Sequence, residues 1–169
     1  MSDRTYNILF LSTRNAARSI MAEAILNHLG KGRFRAFSAG SNPSGQVNPL
    51  AIEQLQHARL PIDGLHSKSR DEFSTAGAPH VDFVFTICDQ TAGEERPVWP
   101  GLPMTAHWGI EDPAAVEGSE KEKYRAFSLA FALLNRRISI FLSLPFATLD
   151  AMALKRELDN IGGLSRAGQ

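Results

Sequence analysis

The sequence predicts an α/β fold: a single-domain three-layer sandwich with one four-stranded parallel sheet and helices on both faces. Two observations carry this. Ile8-Leu9-Phe10-Leu11 is apolar at every position, as in a strand covered on both faces. Beyond it, short apolar runs alternate with segments of helical periodicity to the end of the chain. Crossovers in such a sheet are right-handed. With 169 residues, 43% of them apolar, the chain can bury a sizeable core as one domain spanning residues 1–169.

The elements follow in order. After the first strand comes the polar stretch Ser12-Thr13-Arg14-Asn15. Ile20, Met21, Ala24, Ile25 and Leu29 then recur at helical spacing, and Gly30 and Gly32 close that helix. Residues 33–38 alternate as a second strand ending at Ala39-Gly40. Asn48 and Pro49 read as cap and first residue of a helix over 50–57. Ser69-Arg70-Asp71-Glu72 has the form of a capping box and predicts another helix start. Residues 81–87 are the third strand and Thr105-Ala106-His107-Trp108 the fourth. A long amphipathic helix fits 120–142, with Phe127, Phe131, Leu134, Ile138 and Phe141 on one face and Pro145 beyond its end. Thr148 is the expected cap of a last helix carrying Leu149, Met152, Leu158 and Ile161, before a frayed tail over 162–169.

Composition narrows the function. Lys plus Arg number 18 and Asp plus Glu number 18, so bulk charge holds neither nucleic acid nor an anionic membrane. The single cysteine, Cys88, excludes an intramolecular disulfide and a cysteine-built zinc site. No apolar run approaches the ~20 residues of a membrane helix. The N-terminus lacks the layout of a signal peptide, which makes a cytoplasmic protein the expectation.

The loop from Ser12 to Ser19 joins the first strand to the first helix, where ligands of open α/β sheets gather. Backbone N–H groups at a helix N-terminus favour a tetrahedral oxyanion. Arg18 can add a bidentate fork, and the hydroxyls of Ser12, Thr13 and Ser19 further donors. Spacing alone leaves a second reading open: a surface turn with a solvated arginine.

The stretch from Leu9 to Ala24, with Ser12-Thr13-Arg14-Asn15-Ala16-Ala17-Arg18-Ser19 at its centre, resembles the opening of the low-molecular-weight protein tyrosine phosphatase superfamily. That superfamily includes the thioredoxin-coupled arsenate reductases. The likeness continues through Phe37-Ser38-Ala39-Gly40, residues 67–73, Thr86-Ile87-Cys88-Asp89, residues 97–101 and residues 107–113, in the order of the arsenate reductase branch. The resemblance implies a small oxyanion (arsenate, phosphate or sulfate) or a phosphorylated protein as partner, bound by the loop 12–19. It implies a nucleophile at position 12, Arg18 on the equatorial oxygens, Ser19 stabilising the nucleophile, and Asp112 before Pro113 as general acid. A redox role for Cys88 follows from the same likeness. It also implies a possible potassium site at Asn15, Glu23, Ser38 and Asp71. The other reading of those residues is a hydrogen-bond network that shapes the loop.

The chain departs from the family pattern at three places. Ser12 stands where the family has its nucleophilic cysteine. A serine hydroxyl is barely ionised at neutral pH and needs an adjacent base. None of the five histidines lies in the loop, and His107 alone falls near a strand end on that side. Arg96 stands where the reductase branch has a further cysteine, the disulfide partner of the one matching Cys88. Cys88 then reads more simply as a small packed residue. Thioredoxin becomes a reductant only if the cysteines are restored. Ala16 replaces a serine, a change of little consequence in a loop that works through its backbone. Trp99 and Trp108, near Pro-Gly turns, read as packing residues.

Three functions compete on these residues. One is an enzyme of the arsenate reductase or phosphatase kind, inactive or severely impaired with serine at position 12. The second is a catalytically silent oxyanion- or phosphoprotein-binding homologue. The third is a phosphatase inactivated by an engineered Cys-to-Ser change, against which the simultaneous loss at Arg96 argues.

Overall fold

The computed structural model describes residues 5–87 and 103–164. Its sheet has four strands, all parallel: β1 (Tyr6–Ser12), β2 (Phe34–Gly40), β3 (Phe83–Thr86) and β4 (Met104–His107). Their spatial order is β2-β1-β3-β4. The chain therefore leaves β1 towards one edge to make β2 and towards the other to make β3 and β4. The carboxyl end of β1 lies at this reversal, where a crevice opens in such sheets.

Among the described residues, four α-helices accompany the strands: α1 (Arg18–Leu29), α2 (Pro49–His57), α3 (Glu120–Leu142) and α4 (Ala151–Gly162). Successive residues of β1 point to opposite faces, and both faces are apolar. Ile8 and Phe10 join Phe83, Phe85, Trp108 and residues of all four helices in the larger core. Leu9 and Leu11 pack with Val84, Val81 and Phe73 on the other face. This is why the first strand reads as continuously apolar. No helix among the described residues is long and apolar enough to cross a membrane.

Several expected boundaries shift for local reasons. The helix expected from Ser69 is one 3-10 turn, Arg70–Phe73, with Ser69 Oγ accepting from Asp71 N at 3.1 Å. Ser74 Oγ donates to the Asp71 carbonyl at 3.1 Å, and a Gly77-Ala78-Pro79 stretch follows, so the turn does not propagate. A capping box does occur in the chain, at Ser119 and Glu122, where it opens α3. Asp150 rather than Thr148 caps α4, accepting from Ala153 N at 2.8 Å. Met152 faces outward and is 76% exposed, while Leu158 and Ile161 are buried. Asn48 and Pro49 open α2 as the sequence predicts.

Two contacts fix the functional end of the sheet. Trp108, fully buried after β4, stacks on Phe85 with ring centroids 4.0 Å apart and donates from Nε1 to the Leu158 carbonyl at 3.0 Å. At the end of β2, Gly40 lies against the loop that leaves β1. A Cβ there would stand 2.6 Å from the Thr13 carbonyl oxygen and 3.0 Å from Asn15 Cβ. Only glycine allows this approach.

Trp108→Ala should cost ~3–5 kcal/mol, the range for deleting a large core aromatic, and lower the urea midpoint accordingly. Gly40→Ala should cost ~1–3 kcal/mol through the clash with Thr13, seen as a lower melting temperature. An unchanged midpoint in either variant contradicts the packing described.

Candidate active site

The β1–α1 loop is tied together by three side chains. Ser12 ends β1, Arg18 begins α1, and Asn15 lies between them with φ 49°. Asparagine tolerates this left-handed backbone better than most residues. Asn15 N donates to Ser12 Oγ at 3.0 Å, and Asn15 Nδ2 donates to Ser19 Oγ at 2.8 Å. Ser12 Oγ and Ser19 Oγ share a hydrogen bond of 2.8 Å. Lys68 N donates to Asn15 Oδ1 at 2.9 Å, which anchors the knot to the segment beyond β2. Ser12, Asn15 and Ser19 are all buried.

The loop's carbonyls are engaged as well. Those of Ser12, Thr13, Arg14 and Ala16 accept from the backbone N–H groups of Ser41, Asn42, Ser44 and Asn48. The polar residues after β2 thus serve as a backing for the loop.

A cavity of about 410 Å³ opens above it. Its wall holds the whole run from Ser12 to Arg18, with Asn48, Asp112 and Ala114 opposite. Arg18 Nη1 donates to the Ile110 carbonyl at 2.8 Å, and Nη2 stands 3.8 Å from Asp112 Oδ2. Asp112 also caps the 3-10 turn Pro113–Ala115, its Oδ1 accepting from Ala114 N at 3.0 Å. A larger cavity of about 660 Å³ lies on the other side of Asp112, against α3, lined by Ile110, Leu129, Leu133 and Arg137 among others. Of these two cavities, the smaller is the one in which Ser12, Arg18 and Asp112 meet.

The structure thus brings Ser12, Thr13, Arg14, Asn15, Ala16, Ala17, Arg18 and Asp112 around one cavity. Ser19 is placed behind Ser12 and Asn15 rather than in the wall. His107 pairs its Nδ1 with Thr86 Oγ1 at 2.8 Å and is not part of the wall. Trp108 is core. Cys88, Arg96 and Trp99 lie outside the described residues.

Of the residues resembling a potassium site, Glu23 and Ser38 meet: Ser38 Oγ donates to Glu23 Oε1 at 2.6 Å. The same oxygen lies 3.6 Å from Lys68 Nζ. Burial pushes the Glu23 carboxyl above its usual range, against the opposing pull of Lys68 and Ser38. Asp71 is exposed on the 3-10 turn.

Sequence reasoning missed two cations. Lys68 sits in a stretch read only for its likeness and its capping pattern. Arg137, on the buried face of α3, donates from Nη1 to the carbonyls of Trp108 and Gly109 at 2.8 and 3.1 Å, and from Nη2 to that of Leu164 at 2.6 Å. Burial brings its pKa down to about 10, which leaves it charged at neutral pH. A charged residue at a helical core position was the available signal.

Comparison with known proteins places this geometry. The family model described as low molecular weight phosphotyrosine protein phosphatase matches residues 7–157. Arsenate reductase of Bacillus licheniformis is 34% identical over 142 residues, covering 83% of this chain and 96% of that protein. Arsenate reductase of Shouchella clausii is 31% identical over 134 residues, covering 79% and 93%. A solved arsenate reductase in the phosphate binding state superposes with TM-score 0.66 at 25% identity, covering 82% of this chain and 97% of its own. Vibrio vulnificus Wzb in complex with benzylphosphonate shares the fold, with TM-score 0.65 at 18% identity over 81% of this chain and 97% of its own. The chain belongs to the low molecular weight phosphotyrosine protein phosphatase family, in its arsenate reductase branch.

Proposed function

We propose that this protein binds a tetrahedral oxyanion, arsenate or phosphate, in the loop 12–19, and that Ser12 leaves it severely impaired in turnover. The observation that carries the reading is the single cavity in which Ser12, Arg18 and Asp112 meet at the N-terminus of α1. Four loop carbonyls are already taken by backbone donors, so they do not oppose an anion. The α1 dipole adds positive potential at the same place. Solved relatives with phosphate or a phosphonate bound support the same ligand chemistry.

The geometry divides the roles. Arg18 uses Nη1 on Ile110, which leaves its other N–H groups for ligand oxygens. Asp112 stands across the cavity, where a general acid would protonate a leaving oxygen. Ser12 occupies the attacking position. Its hydroxyl is bonded to Asn15 N and Ser19 Oγ, neither of which is a base. Nothing in these bonds activates it. Thioredoxin-coupled reduction further needs cysteines that positions 12 and 96 do not supply.

Arg18→Ala should weaken phosphate and arsenate binding by ~1.5–3 kcal/mol, measured by calorimetry on a variant with an unaltered melting curve. Equal affinity would sink the assignment of the loop.

Ser12→Cys should yield a thiol with pKa well below ~8.5 and hydrolysis of a small aryl phosphate. Adding Asp112→Asn should slow that hydrolysis by ~10²–10⁴. Arsenite production with thioredoxin, its reductase and NADPH should stay at the blank until Arg96→Cys is added as well. A folded Ser12→Cys protein that binds phosphate without hydrolysing it would favour the silent binding protein.

A further inference from the structure

The segment after β2 places a lysine beneath the loop. Residues 66–69 run beside the end of β2: Gly40 N donates to the Lys68 carbonyl at 2.9 Å, and Gly40 forms an isolated parallel bridge with Ser69. Ser67 Oγ donates to the Arg14 carbonyl at 3.1 Å, and Lys68 N to Asn15 Oδ1 at 2.9 Å. The backbone of Lys68 is therefore fixed to both β2 and the loop. Its side chain, 8% exposed, turns inward to Glu23, which is 13% exposed. Lys68 Nζ lies 3.6 Å from Glu23 Oε1 and donates to the His66 carbonyl at 3.0 Å.

These bonds leave a potassium ion badly served. Glu23 Oε1 already takes the Ser38 hydroxyl and faces the ammonium. The Asn15 amide oxygen takes Lys68 N, and its Nδ2 is bound to Ser19. Asp71 is exposed on the 3-10 turn. A hard cation needs several oxygens free to converge on it. Here a positive charge already stands among them, and like charges a few ångströms apart repel strongly in a partly buried setting.

We propose that Lys68 is a tethered cation standing where the resemblance implies a potassium ion, holding Glu23 and, through Asn15, the oxyanion loop without a dissociable metal. The chain of bonds runs from Glu23 to Lys68, from Lys68 N to Asn15, and from Asn15 to Ser12 and Ser19. Lys68 acts through Asn15 and is a positioning residue. A tethered ammonium carries no binding equilibrium, so the loop keeps its shape whatever the potassium concentration. The inference rests on the proposed oxyanion function for its affinity readout, and on nothing but the fold for its thermal one.

The test compares the unmodified protein with Lys68→Ala, which empties the seat, and Lys68→Met, which fills it without charge. Melting temperature and phosphate affinity by calorimetry are measured in potassium chloride and in tetramethylammonium chloride at equal ionic strength. The unmodified protein should give the same values in both salts. Lys68→Ala should melt lower and bind phosphate about tenfold more weakly in tetramethylammonium, and potassium should restore both. Lys68→Met should be impaired in both salts. A purely structural lysine, or one that only attracts the anion through space, would give a loss that potassium does not reverse, which overturns the proposal. So would a potassium-dependent melting temperature in the unmodified protein, or a Lys68→Ala protein indistinguishable from it in tetramethylammonium. Should the unmodified protein bind no phosphate, the oxyanion function fails, and the melting temperatures still decide the role of Lys68.

Discussion

The hydrogen bonds of Asn15 govern the shape of everything around the β1–α1 loop. Its backbone sits at φ 49°, a conformation that costs a non-glycine residue about 1 kcal/mol. What offsets that cost is a full set of partners. Its N–H reaches Ser12, its Nδ2 reaches Ser19 and its Oδ1 receives Lys68 N. The residue is completely buried, so each bond replaces water that cannot enter. Gly40 is the complementary condition, because any side chain there would push against Thr13 and Asn15. Strand β2 thus holds the loop from below while Asn15 holds it from within.

The opposite wall of the cavity is held by two arginines. Arg137 comes up from α3 and binds the carbonyls of Trp108 and Gly109. Arg18 comes from α1 and binds that of Ile110. Three successive carbonyls after β4 are therefore fixed before the chain reaches Asp112. Arg137 is costly to bury: its pKa falls, and among the described residues its Nε finds no acceptor. The Trp108 ring, stacked on Phe85, anchors the same segment in the core.

How much of this was legible in the sequence depended on the range of the interactions. Strand β1 was legible because burial on both faces leaves no polar position in Ile8-Leu9-Phe10-Leu11. Helix α2 was legible because Asn48 and Pro49 signal within a few residues. The 3-10 turn at Arg70 was misjudged because Ser69 and Glu72 imitate a capping box, while what ends the turn lies downstream, at Ser74 and beyond. Thr148 reads as a cap although Asp150 is the residue that caps α4, because threonine and aspartate carry the same local signal. In the site, Ser12 and Arg18 are legible from the strand–loop–helix layout, and Asp112 only through likeness to a known pattern. The carbonyl contacts of Arg137 and the pairing of Lys68 with Glu23 join residues distant in sequence, and no local pattern encodes them.

On the proposed function position 12 has two jobs, one chemical and one structural, and its hydrogen bonds serve the structural one. As a reacting atom, whatever stands there faces the cavity. As a joint, its Oγ accepts from Asn15 N and bonds to Ser19, so it closes the strand onto the helix. Serine does the second job and, on that proposal, little of the first. An alanine would give up both and leave the buried Asn15 N–H without its acceptor. The scaffold therefore makes its own demand on position 12: whatever chemistry stands there, the residue has to serve as a fastener between strand and helix.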